Sequence, residues 1–122
     1  MSSFLATVLI ADPILVLAAW GTTALVAASA DGAVASNPYI GIRTRYTRSD
    51  PDVWREVHER AVKPLKVTAV AVTCFAVLAL VFAANEQIGK AVLLLCAFSL
   101  ALGVIASSLW AITTTKRRRQ AE

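Results

Sequence analysis

The chain has 122 residues, about one domain's worth, with 57% hydrophobic residues, 16% charged residues and a net charge of +4. Ordinary soluble domains run nearer half apolar and a quarter charged, so this composition argues against a water-soluble globule. The apolar residues fall into three long blocks around one polar segment of 36 residues, Asp31 to Lys66, which leaves no length for a separate soluble domain of any size.

The first block, Phe4 to Ala30, contains Asp12-Pro13. Asp before Pro is a good N-cap and first-turn pair, whereas a carboxylate inside a bilayer is costly and usually functional. Two readings follow: a span over 13–30 capped by Asp12, or a span over about 4–30 with Asp12 as a buried polar site. Ala28-Ser29-Ala30 also resembles a signal-peptidase site, but Met1-Ser2-Ser3 brings no positive charge, the apolar stretch is long and Asp12 interrupts it, so a retained span is expected.

The polar segment opens with small residues and the turn-forming Asn37-Pro38. From Tyr39 to Arg48, aromatic and aliphatic residues alternate with Gly and Arg, a pattern suited to the headgroup level of a bilayer. Ser49-Asp50-Pro51-Asp52 then carries a capping side chain, Pro at the first helical position and acid in the first turn. Val53, Trp54, Val57 and Ala61 share one face and Arg55, Glu56, Glu59 and Arg60 lie mostly on the other, which predicts a short amphipathic helix over about 51–62. It is expected to lie flat on the membrane or plug the end of the bundle, and to end or bend at Lys63-Pro64. Arg55 with Glu59 and Glu56 with Arg60 are spaced for ion pairs, and Trp54 and His58 are neighbours four apart.

The second block, 67–84, and the third, 91–115, are uncharged and reach about 27 Å and 37 Å as helices, against a hydrocarbon core of about 30 Å. Ser99, Gly103 and Ser107 place small residues on one face of the third, for packing within the chain or, less favoured, against a second copy. Cys74 and Cys96 sit inside the spans as small apolar residues. The expected fold is therefore an all-α integral membrane protein: three transmembrane helices, a loop over 31–66 containing a short helix, and a basic tail over 116–122.

Charge sets the expected orientation. Seven of the twelve Lys and Arg lie in the 31–66 segment, four in Lys116-Arg117-Arg118-Arg119, and only Lys90 in the turn between the second and third blocks. The positive-inside rule then puts the N-terminus outside and both loop and tail in the cytoplasm, in an inner or plasma membrane whose anionic inner leaflet is the first partner. The basic tail reads as a stop-transfer anchor, and no nucleic-acid role is expected. One histidine, no Cys/His cluster and no Gly-rich phosphate loop make an enzyme the weakest class, with no cofactor or metal expected.

Asn37, Ile40-Gly41-Ile42-Arg43-Thr44, Thr47, and Trp54 with His58 resemble the signature of the SdpI family of bacterial membrane proteins. In that family an Asn precedes a Gly-x-Arg-Thr core and a Trp-x-x-x-His pair follows. The chain departs from the pattern at Arg45, where the family usually has Pro, and at Glu59-Arg60-Ala61, where a Gly-rich stretch often follows the His. The resemblance implies a short three-helix version of a non-enzymatic protein acting in immunity to a membrane-active peptide or in membrane signalling. Its binding residues would be Asn37, Gly41, Arg43, Thr44, Trp54 and His58. Arg43 and Asn37 would hold an anionic or carbonyl group of a peptide or protein partner while Trp54 and His58 close over it. Two other readings stand beside it: a structural accessory subunit of a larger membrane complex, and a small transporter using Asp12.

Overall fold

The computed structural model describes residues 3–39 and 41–122; Ile40 of the motif lies outside the described residues. They form three α-helices, α1 (Ser3–Ala30), α2 (Pro51–Val81) and α3 (Glu86–Ala121), with no strand among them. All three are long and apolar enough to cross a membrane. At 1.5 Å per residue their 28, 31 and 36 residues extend about 42, 46 and 54 Å. Helices α2 and α3 therefore project beyond a 30 Å hydrocarbon core. We call the end carrying the 31–50 loop and the basic tail the loop end, and the opposite one the far end.

The start of α2 matches its signals: Asp50 is the N-cap, its carboxylate accepts from the Asp52 N–H at 2.7 Å, and Pro51 occupies the first turn. Its course does not match the expectation of a separate helix over 51–62. The charged amphipathic segment and the apolar span are one continuous helix, with Pro64 inside it. Proline there removes one backbone hydrogen bond, at about 3 kcal/mol in an isolated helix. Ala61 and Leu65 on either side are both buried in a cluster with Val26 of α1 and Ala111 of α3, and this packing holds the helix together through the proline. The amphipathic segment thus neither lies flat nor ends at Lys63.

Helix α1 decides between the two readings of the first block. It runs through Asp12-Pro13, so Asp12 is an internal helical residue and not an N-cap. One oxygen of its half-buried carboxylate, Oδ1, is enclosed without a hydrogen-bond partner. In lipid the backbone must satisfy its own bonds, which favours extending the helix back to Ser3 over an unpaired looped entry.

Helix α2 is the central element, packing along α1 on one side and α3 on the other, while α1 and α3 meet little. Three apolar clusters stack along it, and small residues dominate the lower two. Ala19, Ala69, Val72, Ala76 and Cys96 form the middle layer. Phe4, Val8, Ala79 and Ala83 form the far-end layer. The larger apolar side chains, such as Leu17, Val67, Leu102 and Leu109, point outward as a lipid-facing surface requires. Threonines supply polar ties: Trp20 Nε1 donates to Thr73 Oγ1 at 3.0 Å, and Thr23 Oγ1 donates to the Ala19 carbonyl at 2.8 Å. Both cysteines are free, Cys74 exposed and Cys96 buried.

Of the small stripe on α3, Ser107 is buried, Ser99 half-buried, and Gly103 meets Thr68 of α2 so closely that an added Cβ would overlap the threonine side chain. Gly21 of α1 instead has open space where a Cβ would go. Alanine at the two glycines is therefore expected to act with opposite signs. Gly21→Ala gains helix propensity and holds or raises the melting temperature in detergent, whereas Gly103→Ala forces the helices apart and costs about 1–3 kcal/mol. Thermal unfolding followed by circular dichroism measures both, and equal shifts would contradict the close α2–α3 approach.

Candidate functional site

The loop between α1 and α2 is folded onto the first turns of α2. Leaving α1, the chain turns at Gly32, whose φ of +84° is a left-handed conformation, and the Arg55 guanidinium packs against it. Asn37 makes a local Asx turn: its Oδ1 accepts from the Tyr39 N–H and its Nδ2 donates to the Ala35 carbonyl, both at 2.8 Å. Arg43 reaches back to donate to the Pro38 carbonyl. Further on, Thr47 Oγ1 donates to the Ile42 carbonyl at 2.6 Å and accepts from the Thr44 N–H at 2.8 Å, while Thr44 Oγ1 accepts from the Thr47 N–H at 3.1 Å. Thr44 and Thr47 thereby close the 42–47 turn with side-chain oxygens.

Trp54 and His58 face this turn from α2. Their ring centroids are 4.2 Å apart, and they are 2% and 0% exposed. Trp54 Nε1 donates to the Val34 carbonyl at 3.0 Å. His58 Nε2 accepts from the Ile42 N–H at 2.8 Å, and Nδ1 lies 2.6 Å from the Trp54 carbonyl. Because Nε2 must accept and the carbonyl can only accept, the ring is neutral with its proton on Nδ1. Gly41, at φ +91°, crosses directly over the pair; a Cβ there would stand 2.6 Å from His58 Nε2. Only glycine combines that conformation with that approach.

All six expected binding residues, Asn37, Gly41, Arg43, Thr44, Trp54 and His58, thus belong to one unit, but they divide by role. Trp54 and His58 are occupied by the loop's own backbone and lie beneath it. They pin the loop and do not close over a ligand from above. The exposed face belongs to Arg43, Arg45 and Arg48, all on the turn that the buried pair fixes. Tyr39 is 82% exposed beside them.

Two contacts join the loop end to the tail. Glu56 accepts from Arg119 Nε at 2.9 Å and pairs with Arg60 at 3.3 Å, and the Lys116 ammonium sits 4.9 Å above the Tyr46 ring. The Glu56–Arg60 pair follows from its spacing. The tie to Arg119 is not legible in the sequence, because nothing local to the tail shows that α3 continues far enough to meet α2. No ion pair joins Arg55 and Glu59 among the described residues; Arg55 turns instead to Gly32.

A three-helix, multi-pass membrane protein whose first interhelical loop is clamped to a Trp-x-x-x-His pair is the class that this geometry defines. The chain matches the SdpI/YfhL protein family over residues 33–111, from the loop to the last third of α3, and it belongs to that family. Comparison with curated proteins found no match, and comparison with solved structures found none either.

Burial holds the His58 pKa below its ordinary value of 6.5, partly opposed by the bond to the Trp54 carbonyl. With the folded pKa depressed, the unfolded chain binds more protons just below pH 6.5. The contribution is then full above about 6.5 and is lost as pH falls below it. Protonation would also set an Nε2–H against the Ile42 N–H, and leaving that donor unpaired costs about 1–3 kcal/mol. The wild-type melting temperature is expected to drop between pH 7 and pH 5, and His58→Gln is expected to flatten that dependence. Parallel curves for the two proteins would rule out His58 as the source.

Proposed function

We propose that this chain is a non-enzymatic immunity or signalling protein of the membrane, acting through the cationic turn formed by Arg43, Arg45 and Arg48. The observation that carries the reading is the division of labour in the motif. Its buried members build a stiff turn, and its Arg residues are left on the outside of that turn. Guanidinium groups suit recognition of a carboxylate or phosphate on a peptide or protein partner, because their planar fork grips such groups bidentately and keeps its charge. Presenting them from a fixed turn lowers the ordering cost of binding.

On this reading the turn is cytoplasmic with the basic tail and the N-terminus lies outside, supported by the eleven of twelve Lys and Arg that fall in the 31–66 segment and the tail. The membrane is the cell's inner or plasma membrane on the same argument.

Expression in cells challenged with membrane-active peptides tests the reading. The wild-type chain is expected to protect. Arg43→Ala is expected to reduce protection with the fold intact, and His58→Ala to reduce it by releasing the turn. Protection unchanged in both variants would remove the turn as the site, and a wild-type chain that never protects would remove immunity and leave signalling.

A further inference from the structure

A second surface lies away from the motif, between α2 and α3, where the polar part of the molecule meets the apolar part. It has two adjoining compartments. The upper one is a cleft of about 690 Å³ lined by Glu56, Arg60 and Lys63 of α2 and by Arg118 and Arg119 of α3. The lower one is a groove of about 470 Å³ whose walls are almost wholly apolar, formed by Pro64, Val67 and Thr68 of α2 and by Gly103, Ala106 and Ser107 of α3. Lys63 and Trp110 line both, so the two spaces adjoin at these side chains.

Four basic side chains (Arg60, Lys63, Arg118, Arg119) and three acidic ones (Glu56, Glu59, Glu122) line the cleft, a surplus of one positive charge. Glu56 is taken up by Arg60 and Arg119 together. Lys63, Arg118, Glu59 and Glu122 are all exposed, and none of the four forms an ion pair among the described residues. Arg60 Nε is enclosed and has no hydrogen-bond partner, a buried donor left open beside two unpaired cations. Below them the small side chains of Gly103, Ala106 and Ser107 keep a depression open toward lipid. Trp110, 52% exposed, stands at the junction, the level that amphipathic aromatic rings favour in bilayers.

From this juxtaposition we infer that the α2–α3 seam is a binding site for one anionic phospholipid, its phosphate in the Arg60/Lys63/Arg118 cleft and an acyl chain in the groove below. The cations supply what a phosphodiester needs, and a phosphate oxygen supplies the acceptor that the open Arg60 Nε–H lacks. The groove supplies what a hydrocarbon chain needs, and the junction of the two at Lys63 and Trp110 matches the order of these groups in a lipid. A free phosphate would use only the cleft, and a second copy of the chain would use only the groove.

Native mass spectrometry of the full chain in detergent, titrated with phosphatidylglycerol or phosphatidylcholine, tests the assignment. One phosphatidylglycerol is expected to be retained per chain in preference to phosphatidylcholine. Lys63→Gln with Arg118→Gln is expected to weaken it by about tenfold or more, from roughly 1 kcal/mol per basic residue. Ala106→Trp, which fills the groove, is expected to weaken it as well, and circular dichroism checks that each variant is folded. A photoactivatable phosphatidylglycerol carrying its reactive group in the acyl chain gives a readout on the unmutated protein, with labelling expected on α3 around Ala106. Equal retention of the two lipids, an affinity unchanged by the double substitution, or labelling elsewhere would overturn the site. So would displacement by glycerol phosphate with Ala106→Trp without effect, which marks a phosphate site. A lipid-free dimer broken by Ala106→Trp would also overturn it, by giving the groove to a second copy.

Discussion

The imidazole of His58 is the point at which the loop and the helices become one structure. It is fully buried, it accepts from the Ile42 backbone N–H through Nε2, and its other nitrogen is committed to the Trp54 carbonyl one helical turn back. A 20-residue connection between two membrane helices would ordinarily be mobile, because it buries little apolar surface of its own. Here a single ring fixes its middle, Trp54 fixes its first half through Val34, and the Thr44–Thr47 pair closes the rest. The position of every exposed Arg on the turn follows from that anchoring.

The helices make such a clamp possible by projecting beyond the apolar layer. The first four turns of α2 and the last turns of α3 form a platform at the loop end, stitched by Glu56 to Arg119 and by Lys116 over Tyr46. Within the apolar layer the packing is of a different kind. Alanines, Gly89 and Gly103 bring backbones close, and most of the leucines face outward. Lipid is as apolar as leucine, so burial of large side chains gives the helices little reason to associate, and close contact between small residues does the work instead.

The number of helices is legible in the sequence because three apolar blocks each long enough to span a bilayer admit few alternatives. So is the start of α2, since Asp50-Pro51-Asp52 supplies three independent signals. In water, proline after Asp or Lys marks a helix boundary, which leaves a capped and a continuous reading open at Asp12-Pro13 and predicts an end or bend at Lys63-Pro64. In both places the helix continues: at the first an unpaired backbone in lipid costs more than one missing bond, and at the second Ala61 and Leu65 are packed firmly around the proline. The site was half legible. The four-residue spacing of Trp54 and His58 shows that they touch, but not that the backbone of Ile42, sixteen residues upstream, inserts its N–H between them and solvent. Glycine at 41 was the available clue, as a residue that lets backbone come that near.

The central claim is that a neutral His58 holds the loop through its Nε2. Nitrogen-15 spectra of the full chain in detergent, with labelled histidine, read this directly at pH 7. The account predicts a ring protonated at Nδ1 only, with Nε2 shifted as a hydrogen-bond acceptor and the Ile42 amide strongly protected from exchange. A ring protonated at Nε2, or a freely exchanging Ile42 amide, would contradict it.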